Sequence, residues 1–209
     1  MCLLAIQYKL VPEAPILVAT NREEFYDRLP NFKPHPKTSA PGPDSFQKEY
    51  ARLADEGTDA IISIHISETL SATVNSARTA AKEFTRIPVT VLDSTQLSLG
   101  MGFVVERAAE LARAGKTTAE ILSTLEDFMK DAYVFAALNT LEYLKRSGRM
   151  NFALAAFGEL IQLKPLLHMN MSVATAHRTR TRSKSMARVF EWLREHAPYE
   201  RLAIVQEIG

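Results

Sequence analysis

The chain has 209 residues, and 25 Lys and Arg against 24 Asp and Glu leave a formal net charge of +1. That balance excludes a field strong enough to hold a polyphosphate by charge alone. A composition 46% hydrophobic and 23% charged excludes disorder, collagen-like repeats and a disulfide scaffold, and the length suits one large domain or two small ones.

The opening segment predicts two short strands, over 3–6 and 16–19, separated by the turn signals Pro12 and Pro15. The first apolar run is broken by Gln7 and Lys9, with no basic run ahead of it and no small-residue cleavage pattern behind, so a signal peptide is not expected. No apolar run approaches the roughly 18 residues that a bilayer crossing needs, so no membrane insertion is expected. Cys2 is the single cysteine and cannot form an internal disulfide, which fits a reducing compartment, and a cytoplasmic location is expected. Between 29 and 43 lie Pro30, Pro34, Pro36, Pro41 and Pro43, which exclude a helix or a central strand and predict an extended loop.

From Asp44 onward, helical and strand periods alternate, the signature of βα units and a parallel or mixed sheet. Asp44 is expected to cap a helix running through Phe46, Tyr50 and Leu53. A strand over 61–66, a helix over 71–84 and a strand over 89–92 come after it. Two helices come next, over 99–114 and 118–130, with Gly115 closing the first and Thr117 or Thr118 capping the second. A strand over 133–138 leads to a short helix over 140–146 that ends at Ser147-Gly148, where the domain boundary is expected. Beyond it the pattern gives a helix over 152–163, strands over 165–171 and 173–177, a long helix over 182–196 and a final strand over 202–205.

Hydroxyls form the first constellation with chemical potential. Thr38-Ser39 precede the first helix, and Ser67, Thr69, Ser71 and Thr73 lie where the 61–66 strand turns into its helix. That junction is the carboxyl edge of an α/β sheet, where backbone N–H groups and hydroxyls together hold an anion without a Lys or Arg. A single carboxylate suits it better than a nucleotide, because neither G-x-x-x-x-G-K-[ST] nor G-x-G-x-x-G occurs. The plainer alternative is that Ser67 or Thr69 simply caps its helix.

The second constellation is the basic run His177 to Lys184, in which Arg178 and Arg180 share a face if both continue a strand, with Arg182 roughly in line. A cationic strip for an acidic partner and a solvated, charge-protected edge both fit it. Nucleic-acid binding is not expected, since aromatics do not interleave with the basic residues. The five histidines, His35, His65, His168, His177 and His196, show no H-x-x-x-H spacing and have no cysteine partner, so no metal is expected, and His65 reads as a packed core residue. Cys2 is the one catalytic candidate: with Met1 removed, its α-amine could deprotonate its own thiol. The alternative is a small buried thiol on an N-terminal strand.

Ordered motifs carry a family resemblance over most of the chain. Glu23-Glu24-Phe25-Tyr26 with Leu29-Pro30 opens the series, followed by Lys37-Thr38-Ser39-Ala40-Pro41-Gly42-Pro43 and Ile64-His65-Ile66-Ser67-Glu68-Thr69-Leu70-Ser71-Ala72-Thr73. Val91-Leu92-Asp93-Ser94, Thr140-Leu141-Glu142-Tyr143-Leu144, Gly148-Arg149, Lys164-Pro165 and Arg178-Thr179-Arg180 complete it. From Glu23 onward the chain resembles the DegV family of bacterial fatty-acid-binding proteins. The resemblance implies a two-domain α/β protein with a helix-flanked sheet in the first domain, over 29–148, and a smaller, incomplete α/β second domain, over 149–209. It implies a non-enzymatic carrier that buries a long-chain fatty acid between its domains. The carboxylate would sit on Thr38 and Ser71, with Ser39 and Ser67 adjacent. No cofactor is implied; a separate ATP-dependent, dihydroxyacetone-kinase-like fatty acid kinase would make the acyl phosphate. Arg149, Arg178 and Arg180 are candidates for the docking or head-group rim.

Residues 1–28 tell a second story, through Met1-Cys2-Leu3-Leu4 and Ala19-Thr20-Asn21-Arg22-Glu23-Glu24-Phe25-Tyr26-Asp27-Arg28. This stretch is similar to the start of the NRDE family, in which Cys2 would be an N-terminal nucleophile, and suggests a chimera joined at 22–28. The DegV opening strand and C-terminal end are then expected to be missing, with 1–19 able to supply substitute strands and a sheet edge or apolar face left exposed. An amidohydrolase-like protein and a nonfunctional chimeric fragment are the alternative functional readings.

Overall fold

The computed structural model describes residues 7–8, 16–18, 22–23, 38–138 and 164–204. In chain order the elements are β1 (Gln7–Tyr8), β2 (Ile16–Val18), β3 (Arg22–Glu23), β4 (Thr38–Ser39), α1 (Pro43–Asp55), β5 (Ile61–His65), α2 (Thr73–Glu83) and β6 (Val89–Asp93). They continue with α3 (Ser98–Arg113), α4 (Thr118–Lys130), β7 (Val134–Ala137), β8 (Lys164–Asn170), β9 (Val173–Thr179) and α5 (Arg182–Glu195). The chain divides into two compact units: 1–133 with Asn170–Ser172, and 134–169 with 173–209. The boundary expected at Gly148 falls among residues outside the described ones, as do the helices expected over 140–146 and 152–163.

The first unit is built around β5. Every residue of Ile61–His65 is buried, as a strand covered on both faces requires. It pairs in parallel with β2 on one side and with β6 on the other, in a sheet of order β1-β2-β5-β6. The strand alternation sorts its side chains: Ile62 and Ile64 pack with Val104, Val105, Ala108 and Leu125 of α3 and α4, whereas Ile61 packs with Phe46, Tyr50 and Ala77 of α1 and α2. The expectation that the N-terminal segment supplies strands holds for β2 at 16–18. The described strand ahead of Pro12 is Gln7–Tyr8, antiparallel to β2, and the strand expected over 3–6 lies outside the described residues.

Helix ends obey local chemistry. Asp44 does not cap α1; Gly42 does, because Pro43 fits the first helical position, leaving Asp44 in the first turn, where its charge complements the helix dipole. Gly115, at φ 75°, takes the left-handed conformation just past the C-cap Ala114 of α3. Thr117 and Glu120 form a reciprocal capping box at the start of α4.

The second unit holds a sheet of order β7-β8-β9, with β7 and β8 antiparallel, together with α5. The strand expected over 202–205 is not formed at 202–204: those residues are irregular, and Leu202 and Ile204 are exposed with no strand alongside them among the described residues. Phe190 and Val173 are exposed as well. Among the described residues no helix is long and apolar enough to cross a membrane.

Candidate functional site

Because β5 and β6 run parallel, with His65 opposite Asp93, both strands deliver the chain to one carboxyl edge. The loops there are bound to each other: Ser94 N–H donates to the His65 carbonyl at 2.9 Å, and Ser67 N–H donates to the Gln96 carbonyl at 2.9 Å. The Asp93 carboxylate accepts the N–H groups of Glu68, at 3.1 Å, and of Thr95, at 2.7 Å.

The serine and threonine hydroxyls predicted at the strand-to-helix junction pair off on this scaffold. Ser67 is fully buried, and its Oγ lies 2.8 Å from Thr69 Oγ1 and 2.9 Å from Ser172 Oγ. Ser71 Oγ lies 2.8 Å from Thr73 Oγ1, and both residues are buried. Each serine also accepts the N–H two residues on, Thr69 for Ser67 and Thr73 for Ser71. Neither Ser67 nor Thr69 caps α2, contrary to the plainer sequence reading: the N-cap is Ala72, which makes no side-chain cap bond. The reason is a turn ahead of the helix, in which Leu70 and Ser71 N–H groups both donate to the Ser67 carbonyl. The described partners of the Ser67 hydroxyl are the Thr69 and Ser172 hydroxyls and the Thr69 N–H, all uncharged groups of the kind that can cradle an oxyanion.

The backbone around this cradle is strained. Thr95, Ser98, Met171 and Ser172 all have positive φ, between 47° and 63°, without being glycine. Such positions cost on the order of 1–3 kcal/mol each and persist where the surroundings over-determine them. Here Thr95 is held by Asp93 on one side and accepts Ser172 N–H at 3.0 Å on the other. Asn170 donates its side-chain N–H groups to the carbonyl of Lys130, at the end of α4, and to that of Ala132 just beyond it, both at 2.9 Å. Ser172 is the member that sequence reasoning missed. It is 105 residues from Ser67, and no spacing rule joins them.

Behind the cradle runs a buried polar chain. Tyr50 Oη donates to Ser63 Oγ at 3.0 Å, and Ser63 Oγ lies 2.7 Å from His65 Nε2. Burial raises the Tyr50 pKa, opposed in part by its bond to Ser63. His65 is the packed core residue expected, edge-on to Phe46 at 5.3 Å.

The remaining sequence candidates come from other elements. Thr38 and Ser39 form β4, pairing with Glu23 and Arg22 of β3 in a separate two-stranded ribbon, and Ser39 is exposed. Cys2 and Arg149 lie outside the described residues. The condition for Arg178 and Arg180 to share a strand face is not met: β9 runs past His177 but ends at Thr179, because Thr181 accepts Lys184 N–H at 3.2 Å and starts α5. Among the described residues no group of three or more His, Cys, Asp or Glu could hold a metal ion.

A two-unit α/β protein with a hydroxyl cradle at the carboxyl edge of a parallel sheet is the class these features define. The chain matches the DegV family, a family of uncharacterised proteins, over residues 16–207, and it belongs to that family. The matched range includes 22–28, where the sequence resemblance to a second family had suggested a join. A DegV domain-containing protein of Deinococcus radiodurans is 39% identical over 83% of this chain and 63% of its own length. A fatty-acid-binding DegV family protein of Thermus thermophilus superposes with a TM-score of 0.69 at 39% identity, covering 78% of this chain and 58% of that one. DegV of Bacillus subtilis, a fatty-acid-binding protein, superposes with a TM-score of 0.69 at 35% identity, covering 77% of this chain and 57% of that one. The chain thus spans about three fifths of the length of the curated relatives it matches.

Proposed function

We propose that this chain binds a long-chain fatty acid, holding the carboxylate on the hydroxyl cradle of the first unit. The observation that carries the proposal is the pair of buried serines, Ser67 and Ser71, whose hydroxyls are each bonded to a neighbouring threonine hydroxyl at the carboxyl edge of the sheet. Relatives that bind fatty acids, at 39% and 35% identity, support the ligand class. The energetics suit it: each acyl CH₂ removed from water contributes about 0.8 kcal/mol, so the tail supplies affinity while a few neutral donors orient the head.

On this proposal the protein is a cytoplasmic carrier and the chemistry belongs to a partner, an ATP-dependent fatty acid kinase that takes the presented carboxylate. Thr38 and Ser39 complete the head-group contacts, and Arg149, Arg178 and Arg180 form the docking rim. Native mass spectrometry of the purified chain with added fatty acid tests the binding step. A stoichiometric adduct of fatty-acid mass is expected for the wild type and lost in Ser71→Ala combined with Thr38→Ala, with the circular dichroism unchanged. Full retention of lipid by the double variant sinks the site assignment.

A further inference from the structure

The second unit gathers three of the chain's five histidines around its only tryptophan. Phe135 of β7 stacks on His168 of β8, with centroids 4.9 Å apart and planes at 18°, and on Trp192 of α5, at 5.3 Å and 25°. His177 of β9 meets Trp192 edge-on at 5.0 Å. His196 lies just past α5 and meets His168 edge-on at 5.8 Å, its Nδ1 lying 2.7 Å from the Trp192 carbonyl oxygen. Trp192 itself is only 3% exposed. These rings bring side chains of the three strands and the helix together.

Among the described residues, the groups facing the cluster come from all four of these elements. β7 presents Phe135 and no ionisable group, β8 presents His168, and β9 presents His177. From α5, Arg188 lies 5.3 Å over the Trp192 ring. The nearby carboxylates of α5, Glu191 and Glu195, are both engaged by Arg188, at 2.9 and 3.1 Å. A proton taken up by His168 therefore places a charge on a ring packed against Phe135 and Trp192, in a cluster that Arg188 already overlies. We propose that this ring cluster is an acid-sensitive clasp: protonation below about pH 6.5 releases α5 from the β7-β8-β9 sheet.

The direction of the effect is set by His168. Burial, and then the neighbouring His196 and His177, hold its pKa below the ordinary imidazole value. The unfolded chain thus takes up this proton more readily than the folded one. Stability is intact above about pH 6.5 and falls as pH drops below it, towards the folded value.

Trp192, as the only tryptophan, makes its emission a reporter of this one site. Emission of the full chain is followed from pH 8 to pH 5, together with hydrogen exchange of α5 peptides corrected for intrinsic rate. A red shift is expected, with α5 exchange accelerating by about tenfold or more while α1 to α4 keep their protection. His168→Phe preserves an aromatic ring against Phe135 and is expected to move the midpoint down by about one pH unit. An unchanged midpoint in His168→Phe overturns the proposal. So does quenching without faster α5 exchange, or equal acceleration in α1 to α4. Should His168→Phe fail to fold, the wild-type imidazole signals are titrated by NMR and assigned with His177→Asn and His196→Asn. A His168 that titrates at or above the ordinary value overturns the clasp equally.

Discussion

The two units bury polar groups in opposite ways. In the first, β5 is covered on both faces, and its inner polar chain, Tyr50 to Ser63 to His65, is closed by neutral hydrogen bonds. In the second, the helix meets the sheet through rings of which three are imidazoles, and Val173, Phe190, Leu202 and Ile204 stay exposed. A thick apolar core shields satisfied polar pairs inside it, whereas a thin one leans on side chains that ionise near neutrality. The cradle accordingly sits on the first unit, where strained backbone at Thr95 and Ser172 has enough surrounding packing to hold it.

The largest effect that can break this contrast is a cavity in the first core. Ile64→Ala removes a fully buried side chain packed against α3 and α4 and is expected to cost about 2–5 kcal/mol in urea unfolding followed by circular dichroism. A cost below about 1 kcal/mol would mean that the two-sided burial of β5 is not what stabilises the unit. Tyr50→Phe is next. It removes the donor to Ser63 inside the core and is expected to cost about 1–2 kcal/mol, with no change in cost between pH 8 and pH 6. A pH-dependent cost would show that the Tyr50 chain ionises, contradicting its neutral description.

What the sequence reveals divides along the same line. β5 and β6 are legible because short stretches rich in isoleucine, valine and leucine beside turn signals have few alternatives, and the helices of the first unit are legible from their periodicity and caps. Ser67, Ser71 and their neighbouring threonines are legible because a strand-to-helix junction marks the edge where ligands bind. Ser172 is not, since it arrives across 105 residues on a turn whose Met171 and Ser172 take left-handed conformations that normally call for Gly or Asn. The histidine cluster is illegible for the same reason: His168 comes from β8, His177 from β9 and His196 from the end of α5, and no spacing within a single element betrays their meeting. The strand expected over 202–205 is absent at 202–204 for a different reason, because an apolar run proposes a strand but only a neighbouring strand can pair it.

The smallest predicted effect separates the units by pH. At the start of α4, Glu120 accepts the Thr117 backbone N–H at 2.8 Å, and its pKa is lowered to about 2. The backbone bond is the main cause, followed by the Lys116 ammonium and the Thr117 hydroxyl. Because the folded value lies below the ordinary 4.5, the stability this box contributes is present above about pH 4.5 and is lost as pH falls towards 2. Glu120→Gln keeps an acceptor for the Thr117 N–H but cannot titrate, so it should flatten the acid limb of first-unit unfolding between pH 4.5 and 2 and leave the Trp192 transition untouched. Thr117→Ala, which removes the hydroxyl half of the box, is expected to cost about 1 kcal/mol at neutral pH. Acidification is therefore expected to act in two steps, on the second unit's imidazoles first and on the first unit's capping carboxylate several pH units later. A single acid transition at which far-ultraviolet circular dichroism and Trp192 emission coincide, unmoved by Glu120→Gln, would show that the contrast between neutral and ionisable burial does not govern the chain's response to acid.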